Sequence, residues 1–166
     1  MGLRQGEHLM GLFDKKNSSN ALNTKVENLL REALPDVDFV DEGPGRWGAR
    51  NESVLVRVMV NTEDFPEKPF VDVMAAVLLD VKDDLKLYKY LMTEKSYIFN
   101  KWEVEPGDTD GTVNLLLTSR VLIDDLDASE LNFAIMSTAV IADGIDEEVQ
   151  KLFGGQRCVE YFGWEE

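Results

Sequence analysis

Histidine and cysteine, the side chains on which many catalytic and metal sites depend, are almost absent from this chain. One histidine, His8, and one cysteine, Cys158, occur among its 166 residues. A histidine-based triad, an HExxH zinc helix and a tetrahedral zinc cluster each need more of these side chains. The single cysteine also excludes a disulfide within the chain, which agrees with a reducing compartment. We therefore predict no histidine-based catalysis and no zinc site.

Acidic side chains are plentiful, but their spacing is typical of turns and helix starts. Residues 108–111, Asp-Thr-Asp-Gly, begin like a calcium loop, yet a strand pattern follows where an EF-hand needs further ligands and a final Glu. They predict a hairpin turn. Asp124, Asp125 and Asp127 precede a helix pattern, where the helix dipole favours acids. The sequence offers no definable active site, and we predict no catalytic residue, no metal and no cofactor.

Net charge restricts the kind of partner. The chain carries 17 basic and 32 acidic residues, a formal charge of −15, and eleven of those net charges fall within residues 101–166. Repulsion from phosphate disfavours nucleic acid and anionic membranes. No apolar run approaches the roughly 20 residues of a transmembrane helix, and no signal-peptide core is present. We predict no nucleic-acid partner, no membrane partner and a cytoplasmic location.

The stretch of residues 112–155 predicts the framework on which any site must be built. It reads as a long buried strand that leads directly into the longest helix of the protein. Asp127 can cap the start of this helix, and Glu130, three residues later, completes a capping box. Gly154 and Gly155 provide the stop.

That helix carries two apolar stripes. One can cover a sheet, and it contains Leu131, Ile135, Thr138, Ile141, Ala142, Ile145, Val149 and Leu152. The other lies on the opposite side of the first half of the helix and contains Phe133, Met136 and Val140. A second stripe needs a partner of its own. The sequence leaves open whether that partner is another element of the chain, a second subunit or a ligand.

The spacing of apolar residues, alternating in strands and helical in helices, predicts the elements that precede residue 112. Strands are predicted at residues 39–40, 53–60, 70–81 and 98–104, and helices at residues 24–34 and 83–94. The second helix is predicted to bury Leu85, Tyr88, Leu91 and Met92. Residues 43–48 predict a chain reversal, and Arg57 is expected to be exposed or paired across the sheet. The fold class is α+β, an antiparallel sheet of about five strands in the order α-β-β-β-α-β-β-α.

The two ends of the chain differ from its middle. Residues 1–21 are polar and contain glycine, which predicts a flexible leader with an alternative start at Met10. Residues 22–155 form the single predicted domain. Residues 156–166 are acidic and rich in aromatic side chains. This tail is expected to pack on the body of the protein, or to pair with a sheet edge or occupy a peptide groove, with Phe162 and Trp164 as its docking residues.

Three features resemble the YbjN-like, or TY-chaperone, family, which has the fold of bacterial type III secretion chaperones. They are the hairpin of residues 99–104 and 112–117, the acidic helix start at residues 124–131, and Ala142-Asp143 ahead of Phe153-Gly154-Gly155. The resemblance covers about residues 24–155. It implies a small acidic protein, commonly dimeric, that binds an extended segment of another protein and has no enzymatic activity.

We accordingly predict a non-enzymatic, chaperone-like or regulatory module that holds an extended segment of a partner protein and forms a homodimer. The predicted contact surface consists of Phe133, Met136 and Val140 on the last helix, with Leu55 and Met59 on the strand of residues 53–60. Two alternatives stay open. One is a small-ligand-binding protein or enzyme with a carboxylate-based site, and the other is a regulatory subunit that docks on a larger complex through its tail.

Overall fold

Alternating apolar side chains build one six-stranded antiparallel sheet, which a computed structural model describes within residues 20–164. The elements are α1 (Asn20–Ala33), β1 (Val40–Gly43), β2 (Arg46–Asn51), β3 (Val54–Asn61), β4 (Phe70–Lys82), α2 (Leu85–Glu94), β5 (Lys101–Pro106), β6 (Thr112–Leu122), α3 (Ala128–Phe153) and α4 (Cys158–Phe162). The spatial strand order is β1-β2-β3-β4-β6-β5, so β1 and β5 form the edges. The predicted α+β class is confirmed, with one strand more than expected.

The additional strand is β2, which occupies residues predicted to belong to a chain reversal. The reversal is confined to Pro44 and Gly45, and Gly45 takes the left-handed backbone conformation (φ 72°) that such a tight turn requires. Trp47 and Ala49 then alternate toward the core while Gly48 faces the other way. The strand was not predicted because Gly43, Gly45 and Gly48 interrupt the alternating pattern in the sequence.

The centre of the sheet is β4, as its two apolar faces predict. It pairs with β3 on one side and with β6 on the other, and it is buried continuously from Phe70 to Leu79. Val71, Val73 and Ala75 face the main core, where the helices lie. The opposite side of the sheet, the outer face, carries Met74 and a second, smaller cluster.

The helix α3 covers the core side of the sheet and is capped as predicted. The Glu130 backbone N–H donates to Asp127 Oδ1 over 2.8 Å, and the Glu130 carboxylate accepts a hydrogen bond from the Asp127 backbone N–H. Its buried residues include Leu131, Ile135 and Val149. Within residues 20–164, no helix combines the length and hydrophobicity that crossing a membrane requires.

The two smaller helices differ in detail from the sequence prediction. The helix α1 begins at Asn20, and Thr24, predicted as its cap, instead donates to the Asn20 carbonyl from inside the helix. The helix α2 is buried through Leu87 and Leu91. Leu85 and Met92, predicted to be buried, are exposed because the helix presents a different face to the core.

Part of the predicted leader, with His8 and the alternative start at Met10, lies outside the described residues.

Candidate functional site

The outward side of α3 is an uncharged surface in a strongly acidic protein. Residues 131–142 contain no charged side chain. Phe133, Met136 and Val140, the predicted second stripe, are 53%, 40% and 58% exposed. They point away from the sheet because the helical period places them opposite the buried Leu131 and Ile135. No neighbouring element within residues 20–164 buries this stripe.

A residue that the sequence assigned to a strand extends the stripe. The ring of Phe99 contacts Phe133 edge to face, with centroids 5.2 Å apart and planes at 89°. Strand β5 begins only at Lys101, and Asn100 fixes the preceding residues on α3 by donating to Thr138 Oγ1 over 2.8 Å. Phe99 is itself exposed. We name Phe99, Phe133, Met136 and Val140 the α3 band.

The band opens at one end into a hollow of about 670 Å³ between the end of β6 and the start of α3. Its apolar walls include Leu122 and Phe133, and its rim carries Asp124, Asp125 and Glu130. Lys68 donates to Asp124 over 2.8 Å. This hydrogen bond raises the pKa of Lys68 and lowers the pKa of the Asp124 carboxyl, so both groups stay charged.

On its other side the band meets a smaller apolar groove of about 130 Å³, beside the α1–β1 connection. Met136 and Ala139 form one wall, and Leu34, Val37 and Phe39 lie opposite. The stripe therefore belongs to a broader apolar surface that crosses the outside of α3.

Leu55 and Met59, predicted to share a surface with this stripe, lie on the outer face of the sheet instead. Side chains alternate along β3, and Val56 and Val58 face the main core. Leu55 and Met59 therefore point away from α3, and Met59 is buried in the second cluster. The alternation along this strand was predicted correctly, but the pattern does not show which face of the sheet the helix covers.

The aromatic tail covers part of that outer face. Its helix α4 adds Cys158 to the second cluster, and Tyr161, Phe162 and Trp164 pack against it. The rings of Phe162 and Trp164 stack with centroids 4.9 Å apart and planes at 17°, and the Arg50 guanidinium lies 4.9 Å from the Trp164 ring centroid. Both residues predicted to dock thus contact their own chain.

Arg57 is buried on the same outer face and paired across the sheet. Its Nε donates to Glu42 Oε2 over 2.7 Å. Glu42 lies over Gly48, where a Cβ atom would stand only 2.5 Å from Glu42 Oε1. The missing side chain at Gly48 therefore makes room for the carboxylate that neutralises Arg57.

A carboxylate-lined cleft of about 420 Å³ lies between the β2–β3 turn, α3 and the start of α4. Ser53 Oγ is 2.6 Å from Asp143 Oδ1 and 2.5 Å from Asp146 Oδ2, and Glu147 is paired with Lys151 and Arg157. Burial raises the pKa of Asp146. These groups bind the hairpin to the helix. Within residues 20–164, no three His, Cys, Asp or Glu side chains converge as a metal site.

The predicted turn at residues 108–111 joins β5 to β6. The backbone N–H groups of Asp108 and Thr109 and the Thr112 hydroxyl all donate to Asp80 Oδ1. The loop thus supplies donors to a neighbouring carboxylate, as expected of a structural turn.

Comparison with known proteins gives one family and a common fold. The model described as "T3SS (YopN, CesT) and YbjN peptide-binding chaperone 1", TY-Chap1, matches residues 20–161. YbjN, a putative transcription regulator from E. coli, is 16% identical over 76% of this chain and 93% of its own, with a TM-score of 0.51, which indicates a shared fold. A comparison with curated protein sequences gives no significant match.

Two chaperone complexes also align over most of their length. The Yersinia pestis type III secretion chaperone SycH, solved with a fragment of YscM2, is 15% identical over 74% of this chain and 98% of its own, with a TM-score of 0.49. The HopA1–SchA chaperone–effector complex gives 12% identity, 78% and 99% coverage, and a TM-score of 0.46.

Proposed function

The chain belongs to the TY-Chap1 family of type III secretion and YbjN peptide-binding chaperones, and we propose that it is a non-enzymatic, chaperone-like module that holds an extended segment of a partner protein. The observation that carries this proposal is the α3 band. Four large apolar side chains adjoin one another at the surface of a chain with a net charge of −15. Contiguous exposed apolar surface of this kind marks interaction sites.

The surroundings of the band favour a client segment of mixed chemistry. Apolar anchors of the client would fill the hollow beside Phe133 and the groove beside Met136. Asp124, Asp125 and Glu130 on the rim would attract basic residues that flank those anchors. The expected client segment is therefore apolar at its centre and basic at its ends.

A binding role also agrees with how the chain uses its carboxylates. In the cleft beside Ser53, Asp143 and Asp146 share the hydroxyl, while Glu147 is paired with basic side chains. These contacts support a structural task for the cleft, in preference to the alternative of a carboxylate-based ligand site.

A homodimer and a cytoplasmic location form part of the same proposal. On α2, Leu85 and Met92 are exposed, and Ile98 beyond its end is more exposed still. Leu85 and Met92 are two helical turns apart and therefore share one side of α2, where they offer a second copy an apolar face on a different helix from the α3 band. Light scattering of the purified protein tests the dimer, and replacement of Leu85 and Met92 by Glu should give monomers if this face is the interface.

The function is tested by isolating the client and then removing the band. Affinity purification from the native cell, followed by binding of tiled peptides from the captured protein, identifies the segment. We expect the triple variant Phe133→Ser, Met136→Ser, Val140→Ser to bind that segment at least about tenfold more weakly, a loss of about 1.4 kcal/mol. The control is Leu152→Ser, an exposed leucine near the end of the same helix and outside the band.

Equal affinities for the triple variant and the control would contradict the assignment of the band. A wild-type protein that is strictly monomeric and binds no extended segment of any protein would contradict the proposed function itself.

A further inference from the structure

The outer face of the sheet already holds a peptide segment, and that segment is the final part of the described chain, which bridges β4 at Gln156 and then forms the short helix α4. Residues 156–164, which we name the strap, cross this face beside β4. Their contacts show what kind of ligand the face accepts.

The backbone of the strap is held by a bulge in the central strand. Leu78 pairs with Leu115 and Val81 with Val113, so Leu79 and Asp80 together oppose one residue of β6. Asp80 has a left-handed backbone (φ 52°). The pairing of β4 with β3 ends at Ala76, opposite Leu55, and beyond it the N–H and C=O groups of Leu79 both bond to Gln156 of the strap over 2.8 Å. Bulges commonly mark functional positions in sheets.

The side chains of the strap occupy the apolar part of the face. Cys158 is fully buried, and its Sγ donates to the Ala76 carbonyl over 3.4 Å. Tyr161 donates to Asp108 Oδ2 over 2.5 Å, and its ring contacts Phe162. Arg50 covers Trp164. The strap therefore combines a backbone bridge, one small buried side chain and three aromatic rings.

The link between the strap and α3 allows close approach but provides little rigidity. Gly154 and Gly155 both have positive φ, 77° and 89°. At Gly155 a Cβ atom would lie 2.6 Å from Val81 Cγ2 and 2.9 Å from the Leu79 carbonyl oxygen. The helix of the strap has only five residues, too few to be stable alone. The strap is therefore held in place by its contacts with the sheet, together with the Arg157–Glu147 ion pair and the Gln150–Glu160 hydrogen bond to α3.

From these contacts we propose that the outer face around Leu79 is a second peptide-binding groove, occupied by the strap until a peptide segment of a partner protein replaces it. The inference rests on the proposed function, because it assigns a second site for the client. Departure of the strap alone would leave the Leu79 N–H and C=O groups without partners on an apolar surface, which is unfavourable. An incoming peptide backbone restores both bonds, so exchange is favoured over simple opening.

The strap also defines the sequence of the segment that fits. One residue bridges Leu79, a small apolar side chain follows two residues later, and aromatic rings follow at the fifth, sixth and eighth positions after the bridge. The expected ligand is an aromatic-rich peptide that bonds through its backbone at one point and then forms a short helical turn, as the strap does.

The only cysteine of the full chain reports on this exchange. Burial raises the pKa of the Cys158 thiol to about 11, so it reacts slowly with a thiol reagent while the strap is in place. The probe is a synthetic peptide of residues 155–166 with serine in place of the cysteine. We expect it to accelerate labelling of Cys158 by at least about tenfold, saturably, with the far-UV spectrum unchanged. A peptide of the same composition in scrambled order should have no effect.

A second measurement does not depend on the peptide. Tyr161→Phe removes the bond to Asp108, so Cys158 should be labelled severalfold faster in this variant at unchanged unfolding midpoint. Equal labelling with and without the peptide, or labelling that follows only global unfolding, would overturn the groove. Because the probe is the chain's own sequence, such a failure leaves the client test of the α3 band unaffected, and the reverse also holds.

Discussion

Asp146 Oδ2 lies 2.5 Å from the hydroxyl oxygen of Ser53. The same hydroxyl is 2.6 Å from an oxygen of Asp143, and it has one proton to donate. Two charged carboxylates therefore compete for a single hydrogen bond. Asp146 is buried, and its burial raises the pKa of its carboxyl, so the ionised form of Asp146 is disfavoured.

This competition predicts a pH-dependent gain from Asp146→Asn. A pKa that is higher in the folded state gives stability that is present below the unfolded pKa and is lost as pH rises through the folded pKa. Above the raised pKa of Asp146, wild type has lost that contribution. The amide of Asn can donate to Ser53 and still accept from the Glu147 N–H. We expect Asp146→Asn to raise the free energy of unfolding at pH 7 by about 1 kcal/mol.

Urea titrations at several pH values measure this difference. It should shrink as the pH is lowered through the raised pKa of Asp146, because the wild-type carboxyl then becomes protonated. A difference that does not change as the pH is lowered would show that ionisation of Asp146 is not its cause.

Replacing two of the glycines by alanine should change the free energy of unfolding in opposite directions. At Gly48 the new methyl group would displace Glu42, which neutralises the buried Arg57, so Gly48→Ala should destabilise by about 1–3 kcal/mol. At Gly144 nothing lies within 4 Å of the added Cβ. There, in an exposed helix interior, alanine should stabilise by about 0.5–1 kcal/mol. Thermal unfolding of both variants checks the pair, and equal signs would contradict it.

Phe99→Ala tests the extension of the band without disturbing the core. Because Phe99 is 63% exposed and meets Phe133, we expect about tenfold weaker client binding with little change in stability. Phe65→Ala is the matched control, since Phe65 is 66% exposed and lies outside the band. Titration calorimetry with the client peptide compares them. Similar losses for both would remove Phe99 from the site.

The capping box of α3 should contribute measurably to stability. Asp127→Ala removes the acceptor of the Glu130 N–H, and we expect a loss of about 1 kcal/mol in the free energy of unfolding. Asp125→Ala, two residues earlier in the same acidic run, serves as control because Asp125 does not cap the helix. An unfolding midpoint in urea that is the same for both variants would argue against the cap.

Local sequence patterns predicted most of the helices and strands. The relative positions of their surfaces depend on contacts between residues that are distant in sequence. The alternation of Val56 and Val58 predicted β3, and the spacing of Phe133 and Val140 predicted the exposed stripe. Whether Leu55 lies on the core face or on the outer face of the sheet depends on where α3 packs, and no local pattern encodes that position.

Two further features could not be predicted from the sequence, because each depends on a contact between distant residues. The bond from Asn100 to Thr138, which ends the strand pattern early and brings Phe99 to α3, joins residues 38 positions apart. The bulge at Leu79 lies within an apparently unbroken apolar alternation. Its association with the strap is evident only from the bridge between Leu79 and Gln156 in the folded structure.

The two edges of the sheet limit how this protein can associate with itself. The edge strand β1 has only four residues, while β5 alternates Lys101, Glu103 and Glu105 before it ends at Pro106. Short strands, charges and proline at an edge all oppose the addition of another strand. Despite its exposed apolar band, the protein should therefore resist growth into fibrils through continuous sheets and remain dispersed when concentrated.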